Sequence, residues 1–147
     1  MTALEVGRAE LRREGRSGLL ILAFGSLVAP CAAIAERLDA TLVNMRFVKP
    51  LDAELVLRLA RTHQCIVTVE ENAVAGGAGS AVGECLAGAG LERELHHVGI
   101  PDRFIEHGSR QDCLALAGLD AAGLAAQFER LWPARAEARA AARPLAV

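Results

Sequence analysis

Two adjacent carboxylates, Glu70 and Glu71, close an apolar run and open onto a glycine-rich turn. The stretch reads Cys65-Ile66-Val67-Thr68-Val69-Glu70-Glu71-Asn72, then Ala73-Val74-Ala75-Gly76-Gly77-Ala78-Gly79-Ser80. A pair of acids could divide general acid and general base roles between them. Neighbours on a strand point to opposite faces, however, so these two do not easily share a proton. That leaves Glu70, Glu71 and Asn72 as candidates for an interface contact or for a hydrogen bond that orders the turn. The turn fails the Walker pattern, because no Gly-Lys-Ser/Thr follows it, and Val82 stands where the dinucleotide fingerprint needs glycine or alanine. It reads as a structural turn with Ser80 as cap of the next helix; anion binding at that helix N-terminus is the functional alternative.

A second polar cluster is Pro101-Asp102-Arg103-Phe104-Ile105-Glu106-His107-Gly108-Ser109-Arg110. Arg103 and Arg110 could capture a phosphate or carboxylate, and His107 could titrate near neutrality. The competing reading is a loop at an interdomain or intersubunit surface. His96 and His97 fall on opposite faces of a strand, with at least one expected to be exposed and idle. No histidine pair has the i,i+4 spacing of a helical metal site. Cys31, Cys65, Cys85 and Cys113 are widely spaced without a CxxC pair, so they read as small buried hydrophobes rather than zinc ligands.

Something must hold these groups in place. The chain has 147 residues, enough for one domain with a real core, and 52% of them are hydrophobic. Net charge is −2 and aromatics are 3% of residues, which argues against nucleic-acid partners. No apolar run approaches the ~18–20 residues of a membrane span, and Met1–Glu14 carries no signal-peptide pattern; a cytoplasmic location is expected. Residues 133–147 form an Ala/Arg-rich tail with Arg135, Arg139 and Arg143 at every fourth position. That tail is expected to be poorly ordered, with residues 1–132 as the domain.

Residues 6–13 are polar and weakly alternating, as in an edge strand. Residues 19–24, 41–47 and 65–69 read as buried strands, and 95–100 as a short one. Helices are expected from within 26–29 to 38, from the cap Asp52 to 60, and over 79–89, 111–116 and 120–131. Leu55, Val56, Leu59 and Ala60 mark the apolar face of the second, and Glu54 with Arg58 can make an i,i+4 pair. The pattern implies an α/β fold in three layers: a mostly parallel five-stranded sheet with helices on both faces. The first strand should be an antiparallel edge, because only a tight turn joins it to the next strand.

In this order the segments resemble the C-terminal domain of the 1-deoxy-D-xylulose-5-phosphate synthases, of the transketolase-like, thiamine-diphosphate-dependent group. The match rests on Gly7-Arg8-Ala9-Glu10, Leu22-Ala23-Phe24-Gly25-Ser26, Asn44-Met45-Arg46-Phe47-Val48-Lys49-Pro50-Leu51-Asp52, Val67 through Ser80, Gly99 through Gly108, and Gly118-Leu119-Asp120. It covers roughly residues 4–132. The resemblance implies a three-domain, dimeric enzyme that joins a two-carbon unit from pyruvate to D-glyceraldehyde 3-phosphate with loss of CO2. In that family thiamine diphosphate and Mg²⁺ lie between the first two domains, on a Gly-Asp-Gly motif and a catalytic glutamate. This chain has no Gly-Asp-Gly, and Glu71-Asn72 is not that glutamate's motif. The expectation is therefore a third domain with no cofactor, metal or catalytic residue of its own. Its partners would be the other domains of the enzyme and a second subunit. The alternative is a free-standing module that binds a phosphorylated metabolite through Arg103, His107 and Arg110.

Overall fold

A computed structural model describes residues 3–133. The Ala/Arg stripe at Arg135, Arg139 and Arg143 lies outside the described residues. Five strands, β1 (Glu10–Arg13), β2 (Leu19–Ala23), β3 (Thr41–Asn44), β4 (Cys65–Ala73) and β5 (Glu94–Ile100), form one sheet in the order β1-β3-β2-β4-β5. All neighbours are parallel except β1 and β3. The helices are α1 (Val28–Arg37), α2 (Ala53–Ala60), α3 (Ala78–Gly88), α4 (Arg110–Ala117) and α5 (Ala121–Leu131).

The central strands are apolar on both sides because both sides are covered. Leu19, Ile21 and Ala23 of β2 pack with Cys31, Ile34 and Ala35 of α1 and with Leu124 and Phe128 of α5. Leu20 and Leu22, pointing the other way, meet Val56 and Leu59 of α2 and Val82 and Leu86 of α3. The crossover from β2 toward β1 thus runs over one face, and those from β3 to β5 over the other. Opposite directions on opposite faces are what a single crossover hand demands.

The first strand is an antiparallel edge, but its partner is β3, not β2: Glu10 faces Asn44 and Leu11 faces Val43. The turn at residues 14–18 carries the chain past the place that β3 takes, so the short connection does not make a hairpin. Buried Asp52 caps α2 by accepting from Leu55 N (3.1 Å) and also accepts from Ala9 N (2.9 Å), tying the N-terminal segment to that helix. Glu54 pairs with Arg8 (3.1 Å) rather than with Arg58. Pro30 falls in the first turn of α1, where its missing N–H costs nothing.

Candidate functional site

The strand order reverses at β2. From there the chain builds outward first to β3 and then, on the other side, to β4 and β5. Open α/β sheets bind ligands outside the carboxyl ends of the strands at such a switch point. Here that place is a crevice of about 310 Å³ between the end of β2 (Phe24, Gly25, Ser26) and the end of β4 (Glu70, Glu71, Asn72), floored by Gly76, Gly77 and Ala78. A larger groove, about 630 Å³, adjoins it along α1 and shares Gly25 and Ser26. Its remaining wall, of Val28, Leu42 and alanine methyls with Arg12, Arg13 and Glu36, presents no nucleophile or paired acids.

Glu70 and Glu71 do face apart. Glu70 is 2% exposed, and its carboxylate accepts hydrogen bonds from Ala78 N (2.6 Å) and Gly79 N (2.8 Å). Those amides begin α3 and have no partner within the helix. A carboxylate there meets both their N–H groups and the positive end of the helix. The cap of α3 is thus Glu70, eight residues upstream, and not Ser80, which lies inside the helix. The glycines make the approach feasible. Gly76 turns the chain at φ +72°, and a Cβ on Gly77 would run into the Ala73 carbonyl and the Glu70 carboxylate.

Glu71 points to the other side and holds a surface clamp. Its Oε1 accepts from Arg110 Nε (3.0 Å), and its Oε2 takes both Arg110 Nη2 and the Ser26 hydroxyl. Arg110 Nη2 also reaches Ser26 Oγ at 2.9 Å. The Arg110 guanidinium, then the Ser26 hydroxyl, hold the Glu71 carboxyl below its ordinary range, and Glu71 in turn raises Arg110. Three elements are pinned together: the end of β2, the end of β4 and the start of α4.

The polar loop divides differently from its sequence. Arg103 Nη2 donates to Leu116 O (2.7 Å) near the carboxyl end of α4. Ser109 caps the start of that helix through Asp112 N (3.2 Å). His107 and Arg110 line a cavity of about 270 Å³ with Glu71, Ile105, Cys113 and Leu114, while Arg103 is outside its wall. Phe104 is fully exposed and Leu116 is 54% exposed.

Neither strand histidine is idle. His97 Nδ1 bonds the buried Thr68 hydroxyl (2.7 Å), and His96 Nε2 bonds Glu94 (3.0 Å). Of the cysteines, Cys31 and Cys65 are buried but Cys85 and Cys113 are only partly so. Burial pushes the Cys31 thiol up to about 12. Ser26 escaped the sequence reading, although its place directly after the central strand marks it as a switch-point residue. No local signal ties Thr68 to His97, since the pair forms only through the β4–β5 register.

The fold and the crevice define an open α/β domain whose switch point is closed by its own carboxylate and clamp. Residues 7–124 match the family model described as the transketolase C-terminal domain, and the chain belongs to that family. It is 59% identical over 124 residues to the 1-deoxy-D-xylulose-5-phosphate synthase of Nitrosococcus oceani, covering 84% of this chain and 19% of the relative. The synthase of Ralstonia nicotianae is 58% identical over 129 residues (85% of this chain, 20% of the relative). That of Methylibium petroleiphilum is 54% identical over 140 residues (93% and 22%). The chain thus spans about a fifth of the length of these curated relatives. Among solved structures it superposes on a split-gene transketolase, an inactive β4 tetramer, with a TM-score of 0.76 and 32% identity, covering 88% of this chain and 43% of that one. No helix among the described residues is long and apolar enough to cross a membrane.

Proposed function

We propose that this chain serves as the C-terminal domain of a 1-deoxy-D-xylulose-5-phosphate synthase, and that its task there is architectural. The whole enzyme would condense pyruvate with D-glyceraldehyde 3-phosphate; this part would hold the other domains and a second subunit in place and carry no catalytic residue. One observation carries the reading: the amides at the start of α3, the natural seat for an anion at this crevice, are taken by the buried Glu70 carboxylate.

The residues present do not fit thiamine diphosphate. A diphosphate at the α3 N-terminus would meet the negative charge of Glu70 and find its donors engaged. Among the described residues the one trio of acid, thiol and imidazole groups within reach of a common ion includes Cys65 and His96, ligands unsuited to Mg²⁺. The loop that carries Phe104 supports a contact role. Burying a phenylalanine is worth about 1.5–3 kcal/mol, and Phe104 buries nothing against the described residues. The partner would be the remaining four-fifths of polypeptide that the relatives possess. The metabolite-binding alternative is weakened because Arg103 is tied to the Leu116 carbonyl and Arg110 to Glu71.

Calorimetry of the purified chain with thiamine diphosphate and Mg²⁺ tests the proposal. A flat titration is expected; micromolar binding would overturn it. D-Glyceraldehyde 3-phosphate in a parallel cell should also give no heat, and binding abolished by Arg103→Ala and Arg110→Ala would favour the free-standing module.

A further inference from the structure

At the far end of the sheet from the crevice, β4 and β5 begin side by side, with Cys65 paired to Glu94. Residues two apart on a strand share a face, so Glu94 and His96 stand on the same side as Val98. Val98 and Cys65 both belong to the core under α1 and α5. The sheet register therefore gathers a thiol, a carboxylate and an imidazole. One ligand atom from each lies within 4.8 Å of the others, with His96 Nε2 and Glu94 Oε1 only 3.0 Å apart. The architectural role makes no use of this cluster, and the cluster does not depend on that role.

We propose that Cys65, Glu94 and His96 form a binding site for a Zn²⁺-class divalent cation. Zinc sits about 2.3 Å from thiolate sulfur and about 2.0–2.2 Å from imidazole nitrogen or carboxylate oxygen. Three such atoms on a tetrahedral ion are about 3–4 Å apart, so the trio needs an adjustment of about 1 Å. Glu94 and His96 can supply it, since their side chains are 39% and 33% exposed, while the buried Cys65 stays fixed. A thiolate and a carboxylate balance the ion's charge, and the Cys65 proton is released to solvent as the metal binds. Sulfur and imidazole select zinc over Mg²⁺ or Ca²⁺. Three protein ligands leave the fourth position to water. The Arg93 guanidinium next to Glu94 in sequence is held on the carbonyls of Ala60 (2.7 Å) and Glu92 (2.7 Å).

The test titrates the untagged, metal-free 147-residue chain with Co²⁺ and then competes it with Zn²⁺. One equivalent should bind with thiolate-to-cobalt charge-transfer absorption that Zn²⁺ bleaches. Cys65→Ser should abolish that band, whereas the double variant Cys85→Ser, Cys113→Ser should keep it. His96→Gln and Glu94→Gln should each weaken Zn²⁺ binding at least about tenfold, a loss that even outer-shell partners of a metal can cause. Both sit at the partly exposed rim, so they remain informative if Cys65→Ser does not fold. Absence of the charge-transfer band from the unsubstituted chain, or unchanged Zn²⁺ affinity in either rim variant, would overturn the proposal.

Discussion

Glu70 and Glu71 are consecutive on one strand, yet they end in opposite situations. Glu70 lies under the glycine turn with each oxygen on a backbone amide of α3. Glu71 lies at the surface in a clamp with Arg110 and Ser26. The same charged group is a structural keystone in one place and a tether in the other. What separates them is water. A buried acceptor that is removed leaves orphaned donors, whereas an exposed partner is replaced by solvent.

Glu70→Ala should give the largest effect. Hydrogen bonds to a charged group contribute about 1.5–3 kcal/mol each, so losing both should cost about 3–6 kcal/mol, read as a drop in the urea midpoint. Glu70→Gln keeps one acceptor and should fall between. A loss no larger than that of Glu71→Gln would erase the contrast between the two acids.

A finer probe lies within α3. A Cβ on Gly79 would strike Thr68 Oγ1 and His97 Nδ1, which are bonded to each other, whereas on Gly83 it would meet only Leu95 Cδ2 at 3.5 Å. Gly79→Ala should destabilise by about 1–3 kcal/mol through overpacking. Gly83→Ala should stabilise by about 0.5–1 kcal/mol through helix propensity. Equal midpoints for the two variants would show that the Glu70 side of the crevice is less tightly packed than its geometry implies.

The smallest effect belongs to the clamp, and pH exposes it. The folded chain holds the Glu71 carboxyl below its unfolded value. Its contribution is therefore present above the ordinary carboxylate pKa and is lost as pH falls through the depressed one. At neutral pH Glu71→Gln should unfold slightly earlier in urea than the unsubstituted chain. The gap should close under acid conditions, and a gap that widened there would reverse the sign.

The buried strands were legible because β2, β3 and β4 are apolar on both faces, and Asp52 and Asp120 announce their helices by type and position. The end of β4 was less so, since it runs four residues past Val69 before the turn. The opposed directions of Glu70 and Glu71 followed from strand alternation alone. Glu70 as the cap of α3 did not, because local rules look for a serine or aspartate next to the helix and the real acceptor comes from the preceding strand. Arg103 and Arg110 looked like a pair for one anion; helix α4 separates their tasks by giving the first a carbonyl and the second a carboxylate. The partner of β1 was hidden for a similar reason. A tight turn constrains only what it joins, and the pairing with β3 is set by a crossover that the turn cannot encode.

That pairing has a consequence for synthesis. The partners of β1 stand about thirty residues downstream, Asn44 for Glu10 and Val43 for Leu11, so the strand leaves the ribosome before its seat exists. It must wait, unpaired, while the α1 crossover lays β3 beside β2, and only then can it close the sheet's open border. Within this sheet, the first strand in chain order is thus the one that cannot dock until a later one has been delivered.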